Sequence, residues 1–302
     1  MNFSSHSADT DPSRPRALDW AEYEQRAMAE WRALLASSPA EEAVQKWLEF
    51  HPSFIPGGSG DVGPGGHHGS EMGAVVREAP LHGLGKQRRP DFMWVTRSSG
   101  LITPILIEIE KPDRRWFKRS GRPTKEFSEA LDQLADWKVW FSQPENQSGF
   151  RETYLGTDKF RDRPLAPQYV LIYGRQSEFE RVTSPHKDPA RLRQKRDFMR
   201  RAAENFRTFD SLRPDPKLRD SITVSQTSDG PTLWALAPTF ESGPLLMETA
   251  ERLLDFESGI VRSKFIAPDR SAYLATRWQH WRNAAAGDRA AQAMSLQSMD
   301  RE

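Results

Sequence analysis

Apolar positions recur along the chain at two spacings, which predict an alternation of helices and strands. Apolar residues three and four positions apart predict helices over 17–37, 40–50, 124–142, 189–209, 243–264 and 269–285. Short, mostly apolar runs predict strands over 89–96, 103–110, 168–174, 221–225 and 232–235. This order of elements favours a mixed α/β domain with flanking helices.

Polar and glycine-rich segments divide the chain further. Residues 1–16 are rich in Ser, Asp and Pro and are expected to be a disordered tail, and residues 287–302 are expected to fray. Between them we predict an N-terminal helical segment (17–39), a central domain (40–214) and a C-terminal hairpin with helices (215–286), the last a candidate for self-association. The glycine-rich stretch 56–70 contains His67 and His68, which favour a flexible loop over a metal site because no acid stands at ligand spacing.

Composition narrows the compartment and the chemistry. The chain has 302 residues, 37% of them hydrophobic and 28% charged, with a formal net charge of +1, so any nucleic-acid binding must come from a local patch. It has no cysteine, which excludes a thiolate zinc site or a cysteine nucleophile and suits a reducing cytosol. Without a long apolar run or an apolar leader, we expect a cytoplasmic protein that does not enter a membrane.

Three acidic positions in the densest pattern point to metal chemistry. Asp91 lies in one predicted strand, and Glu108 and Glu110 lie near the end of the next. Residues two apart in a strand share a face, so Glu108 and Glu110 project together, and a hairpin would bring Asp91 close to them. Carboxylates that converge in this way repel one another unless a cation neutralises them, and oxygen-only ligation suits Mg²⁺ or Mn²⁺.

The alternative is that Glu108 and Glu110 form the solvent face of a half-exposed strand. Two further features favour a site. The order Asp91, Glu108, Glu110, Lys111 matches the PD-(D/E)xK nuclease pattern in its strand context. Gln133 follows on the next predicted helix, where its amide can bind an attacking water or a phosphate, although alone it would be taken for an ordinary exposed residue.

One long stretch resembles the Shedu family of bacterial anti-phage defence proteins. It reads RRPDFMWV…ILIEIEKPDRRWFKRSGRPTKEFSEALDQLADWKVWF, and weaker likeness extends over about residues 40 to 214. The resemblance implies a restriction-endonuclease-like mixed sheet flanked by helices and a metal-dependent DNA endonuclease. It also implies that Asp91 and Glu108 are metal ligands, that Gln133 is the helix glutamine of the motif, and that Glu42 is a further carboxylate.

The chain departs from the commoner nuclease pattern at one point. The residue two positions after Glu108 is Glu110 instead of lysine, and Lys111 follows one residue later, where a regular strand would turn it away from the site. Either Glu110 is a third acidic ligand, with Lys111 kept as the candidate to stabilise charge on the phosphate, or a bulge before Pro112 turns Lys111 inward. If neither holds, the domain binds without cleaving.

Two basic runs are candidate partner surfaces. The first crowds a loop beside the acidic positions, with Trp116 and Phe117 interleaved, a composition typical of phosphate-backbone binding and base stacking. Its candidate DNA-binding residues are Arg114, Arg115, Lys118, Arg119, Arg122 and Lys125. The alternative is a solvated basic loop. For the second run, over 187–201, a solvated helix face is favoured over a surface for a partner protein.

Three hypotheses follow. The primary one is a cytoplasmic Mg²⁺- or Mn²⁺-dependent DNA endonuclease that forms a homodimer or homotetramer, because one site cuts one strand. The second, motivated by the glutamate at the lysine position, is a nucleic-acid-binding or sensing subunit with a degenerate site. The third is a protein-interaction module whose basic helix recruits an acidic partner.

Overall fold

A computed structural model of the chain describes residues 14–64, 69–84, 89–156, 161–243, 249–250, 252–263 and 265–285. Most of the predicted N-terminal tail, the predicted C-terminal tail and the pair His67–His68 lie outside the described residues. None of the helices that these residues form is both long and apolar enough to cross a lipid bilayer.

A seven-stranded mixed sheet forms the centre of the described structure, which confirms the predicted α/β class. Its strands are β1 (Ser70–Arg77), β2 (Phe92–Arg97), β3 (Ile102–Ile109), β4 (Gln168–Ile172), β5 (Glu204–Arg207), β6 (Ile222–Gln226) and β7 (Pro231–Leu236). They lie side by side in the order β5-β4-β3-β2-β1-β6-β7. The pairs β1–β2, β2–β3 and β6–β7 are antiparallel, and the pairs β3–β4, β4–β5 and β1–β6 are parallel.

Helices flank this sheet, and their first turns show why they begin where they do. The helices are α1 (Trp20–Ala36), α2 (Glu41–Phe50), α3 (Lys125–Phe141), α4 (Pro144–Phe150), α5 (Pro189–Phe198), α6 (Phe256–Arg262) and α7 (Pro268–Ala285). Asp19, Thr124 and Asp188 cap α1, α3 and α5 by accepting hydrogen bonds from backbone N–H groups of the first turn. Helices α4 and α5 begin with proline, which has no N–H to lose at that position.

Apolar cores lie on both sides of the sheet, and strand alternation decides which residues enter each. In β3, Leu106 enters the core shared with α3, whereas Ile105 and Ile107 enter the core shared with α1 and α2. We refer to these two sides as the α3 face and the α1/α2 face. Because Glu108 has the same parity as Leu106, its side chain lies on the α3 face.

Three sequence-based assignments were wrong or incomplete. The helix expected over 189–209 ends at Phe198, and 204–207 forms β5 instead, because Glu204 and Phe206 alternate into the protein and pair beside β4. Of the helix expected over 243–264, the described residues 249, 250 and 252 are helical, and α6 follows from Phe256 after a break at Asp255, whose φ is a left-handed 52°. Strand β1 was not predicted, because its register with β2 is interrupted between Ser70 and Val75 and its apolar alternation is therefore weak.

Candidate active site

Asp91 and Glu108 face each other across two neighbouring strands. Phe92 pairs with Ile107, so the antiparallel register places Asp91, the next residue outward, opposite Glu108. Glu108 is buried, 8% exposed, and the Oδ2 atom of Asp91 accepts a hydrogen bond of 2.8 Å from the Ile109 N–H. The hairpin that the sequence predicted therefore brings the two acids together.

The surroundings of both acids oppose their negative charge. Burial raises the pKa of the Asp91 carboxyl well above its ordinary value, the Ile109 N–H opposes this, and the charges of Glu41 and Glu110 add to it. Burial likewise raises the pKa of Glu108 well above its ordinary value, and Asp91 raises it further. Such shifts are typical of functional sites, where charges are held together for a task.

Helix α3 places Gln133 over this pair. Its Nε2 donates a hydrogen bond of 2.7 Å to Oε2 of Glu108. The neighbouring Leu134 and Trp137 are fully buried on the α3 face, so the helix is fixed against the sheet and the Gln133 side chain is presented to the strand end. Gln133 thus orients one acid directly, a contact that the sequence did not specify.

Glu110 and Lys111 point to different partners. Glu110 is largely buried and forms an ion pair with Arg114. Burial raises its pKa to about 7, although the Arg114 guanidinium opposes that rise. Lys111 lies at the surface, and its Nζ is 3.2 Å from Oδ2 of Asp113. The pairing of β3 with β4 runs without a shift to Ile109, as in a regular strand.

Helix α2 supplies a further carboxylate that the sequence reasoning missed. Glu41, rather than the adjacent and exposed Glu42, acts electrostatically on Asp91, Glu108 and Glu110. Its own pKa is raised by burial, against the lowering effect of Arg114. The signal was available: Glu41 stands three and seven residues before the buried Val44 and Leu48, on the inward face of the helix.

The carboxylates do not form a ready-made ligand cage. Within the described ranges, no three acidic or histidine side chains are grouped closely enough to hold a metal ion. Asp91 and Glu108 each use one oxygen for a protein hydrogen bond, and Glu110 is paired with Arg114.

The basic loop that follows β3 is a short hairpin with its charges outward. Arg115, Lys118, Arg119, Arg122 and Lys125 are exposed. The loop reverses at Gly121, whose φ is 74°, and the Lys118 N–H donates to the Arg122 carbonyl over 2.8 Å.

The aromatic pair of this loop corrects one expectation. Trp116 and Phe117 were expected to stack on bases, but they are buried at 0% and 1% exposure. The backbone N–H groups of both residues donate hydrogen bonds to the buried carboxylate of Glu178, over 2.9 and 3.0 Å. The bonds to Glu178 fix the backbone at these two residues, and their rings pack beneath the loop. The outer surface of the loop therefore presents cations but not these two rings.

The fold and the site together define an α/β protein with paired buried acids at a strand end beneath a glutamine-bearing helix. The family model described as Shedu protein SduA, C-terminal, matches residues 38–213, which is more than half of the chain and includes Asp91, Glu108 and Gln133. The chain belongs to this Shedu family. Membership links it to anti-phage defence. No curated protein matches the chain.

Proposed function

We propose that this protein is a metal-dependent DNA endonuclease of anti-phage defence, of the PD-(D/E)xK type. The observation that carries the proposal is the cross-strand pair Asp91–Glu108, in which two acids with raised pKa values face each other at a strand end. Glu41 and Glu110 add negative charge, and Arg114 lies on Glu110. A divalent cation is the group that such a concentration of carboxylates accommodates best.

The residues present fit Mg²⁺ or Mn²⁺ by the chemistry of their donors. Asp91 and Glu108 would hold the ion, and Glu110 would join them once it leaves Arg114. A bound ion would lower the pKa of a water molecule and stabilise charge on the phosphate. Gln133 orients Glu108 through its hydrogen bond. Lys111 is the candidate to stabilise charge on the phosphate. The basic loop holds the DNA backbone.

The test is plasmid cleavage by the purified protein with Mg²⁺ or Mn²⁺. We expect Asp91→Asn and Glu108→Gln each to lower the rate at least about 100-fold, because each removes a charged metal ligand. Glu126→Gln, an exposed change in the first turn of α3, serves as the matched control and should leave the rate unchanged. Cleavage that survives both active-site changes would refute the assignment.

A second candidate is a nucleic-acid-binding subunit that does not cut. It is favoured by one observation: Glu110 occupies the usual lysine position and pairs with Arg114, while Lys111 pairs with Asp113. This candidate predicts salt-dependent DNA binding with no heat of Mg²⁺ or Mn²⁺ binding in calorimetry. The endonuclease predicts salt-dependent DNA binding together with a measurable heat of Mg²⁺ or Mn²⁺ binding. It also predicts a dimer or tetramer in light scattering, so that two sites can cut two strands.

A further inference from the structure

Helix α5 is packed against the basic loop. The Nζ of Lys195 donates a hydrogen bond of 2.6 Å to the carbonyl of Gly121, at the turn of the loop. The guanidinium of Arg196 lies over the ring of Trp116, 5.4 Å from its centre. Leu192 is buried in the core of the α3 face. These contacts use the inward side of α5, so the loop and the helix form one continuous part of the surface.

Within the described part of the chain, most outward cations of both elements lack a carboxylate partner; Lys125, which pairs with Glu129, is an exception. Among the residues that the structure describes, exposed arginines and lysines without an ion pair include Arg115, Lys118, Arg119, Arg122, Arg191 and Arg193. Arg191 and Arg193 are both exposed and leave the helix on either side of the buried Leu192. Like charges left unpaired side by side cost electrostatic energy, which a polyanion would relieve.

We propose that α5 is a second DNA-binding element, which extends the DNA contact beyond the loop and holds the backbone of a duplex through Arg191 and Arg193. This rests on the proposed function. Phosphate groups fit better than an acidic protein because the same loop begins at Arg114, which touches Glu110 of the candidate site. A backbone that passes the acids and follows the loop therefore reaches α5 next. Arginine also matches phosphate geometry with two parallel hydrogen bonds.

The experiment measures binding of a fluorescein-labelled DNA duplex to the full chain in EDTA, across a range of salt concentrations. Each phosphate contact contributes about 0.9 to the slope of log affinity against log salt. For Arg191→Gln combined with Arg193→Gln, we expect the slope to flatten by roughly two and the Kd at low salt to rise about ten-fold or more.

The matched control is Arg32→Gln combined with Lys46→Gln. It removes the same charge from exposed positions on α1 and α2, on the opposite face of the sheet. It should leave the slope unchanged, and all variants should keep the melting temperature of the parent because the changed side chains are exposed. An equal loss of affinity in both double variants would show a general charge effect and overturn the proposal.

Two other results separate this inference from the proposed function. Unchanged duplex binding by the α5 variant overturns the inference while plasmid cleavage still stands. A loss of binding to poly-glutamate equal to the loss for DNA also overturns it, because the helix would then recognise acidic chains in general. A selective loss of duplex binding in a protein that cleaves nothing would support α5 as a DNA-binding element and refute the endonuclease.

Discussion

Glu108 is a buried acid whose charge is opposed by Asp91 and by its own desolvation. Glu108→Gln removes that charge and keeps an oxygen that can accept from Gln133. We therefore expect the metal-free variant to melt at least about 2 °C higher than the parent, by a margin that widens as the pH rises above the ordinary pKa of a glutamate. Thermal melting with and without Mg²⁺ measures this, and the ion should stabilise the parent only.

The exposed change Glu126→Gln separates this local effect from a change in overall charge. It should move the melting temperature of the metal-free protein very little. If Glu108→Gln lowered that temperature instead, the carboxylate would be a stabilising structural group and the case for a metal site would fail.

Glu110 makes stability depend on pH in a defined window. Its pKa is about 7 in the folded protein against an ordinary 4.5, so the folded state holds the proton more tightly than the unfolded state. This stabilisation is fully present below about pH 4.5 and is lost as pH rises through about 7. We expect Glu110→Gln to reduce the fall in the free energy of unfolding over this window, measured by urea unfolding of the metal-free protein at several pH values.

Glu145→Gln, an exposed change in the first turn of α4, is the control for that measurement and should reproduce the pH profile of the parent. A profile for Glu110→Gln identical to that of the parent would contradict the raised pKa.

At this scale the sequence could predict which face a residue occupies but not which partner it takes. Strand alternation correctly placed Glu108 on the face of the sheet opposite to that of Ile107 and Ile109. The pairing of Glu110 with Arg114 depends on how the following loop turns, which no local pattern encodes. Glu41 is far from the other acids in sequence, so only the packing of α2 against the sheet reveals its charge beside them.

A buried carboxylate anchors the start of the loop that follows β3. Glu178 accepts hydrogen bonds from the N–H groups of Trp116 and Phe117, and His186 lies 2.9 Å from one of its oxygens. Glu178→Ala leaves both N–H groups buried without an acceptor, so we expect a loss of about 3 kcal/mol in the free energy of unfolding. Urea unfolding measures this, and duplex binding should weaken as the loop loses its anchor.

Glu180→Ala is the matched change for Glu178→Ala, because it removes an exposed carboxylate two residues away. It should cost less than about 0.5 kcal/mol. Equal effects of the two substitutions would show that the loop does not depend on the buried carboxylate.

Element boundaries failed where tertiary contacts override local spacing. Apolar residues continue at helical spacing past Phe198, yet the chain turns at Ala203, with a φ of 65°, and enters the sheet as β5. The gain is a row of hydrogen bonds to β4, which is available only once β4 is in place. The helix α3 was predicted well because its capping residue and its apolar stripe agree.

For the whole molecule, the two faces of the sheet differ in what they present. Asp91, Glu108, the basic loop, α3 and α5 belong to the α3 face, whereas α1 and α2 cover the other. The sequence predicted the class of fold, but the order of the sheet depends on β1, which was missed. Because β1 pairs with both β2 and β6, it joins the C-terminal hairpin to the strands that carry the site.

Glu49 tests whether this junction makes the chain one cooperative unit. It lies in α2, is 4% exposed, and accepts hydrogen bonds from Arg77 of β1 over 2.6 Å and from Trp234 of β7 over 2.9 Å. Its backbone carbonyl accepts a further bond from Thr223 of β6. Glu49→Ala strips a largely buried guanidinium of its main partner, so we expect a loss of about 3 kcal/mol or more in the free energy of unfolding. Glu42→Ala, an exposed change on the same helix, should cost less than about 0.5 kcal/mol.

In the Glu49 variant, tryptophan fluorescence and helical circular dichroism should still report one coincident transition at lower urea, because α2 and the C-terminal hairpin unfold together. Two separate transitions would instead mean that the hairpin is an independent unit resting on the sheet.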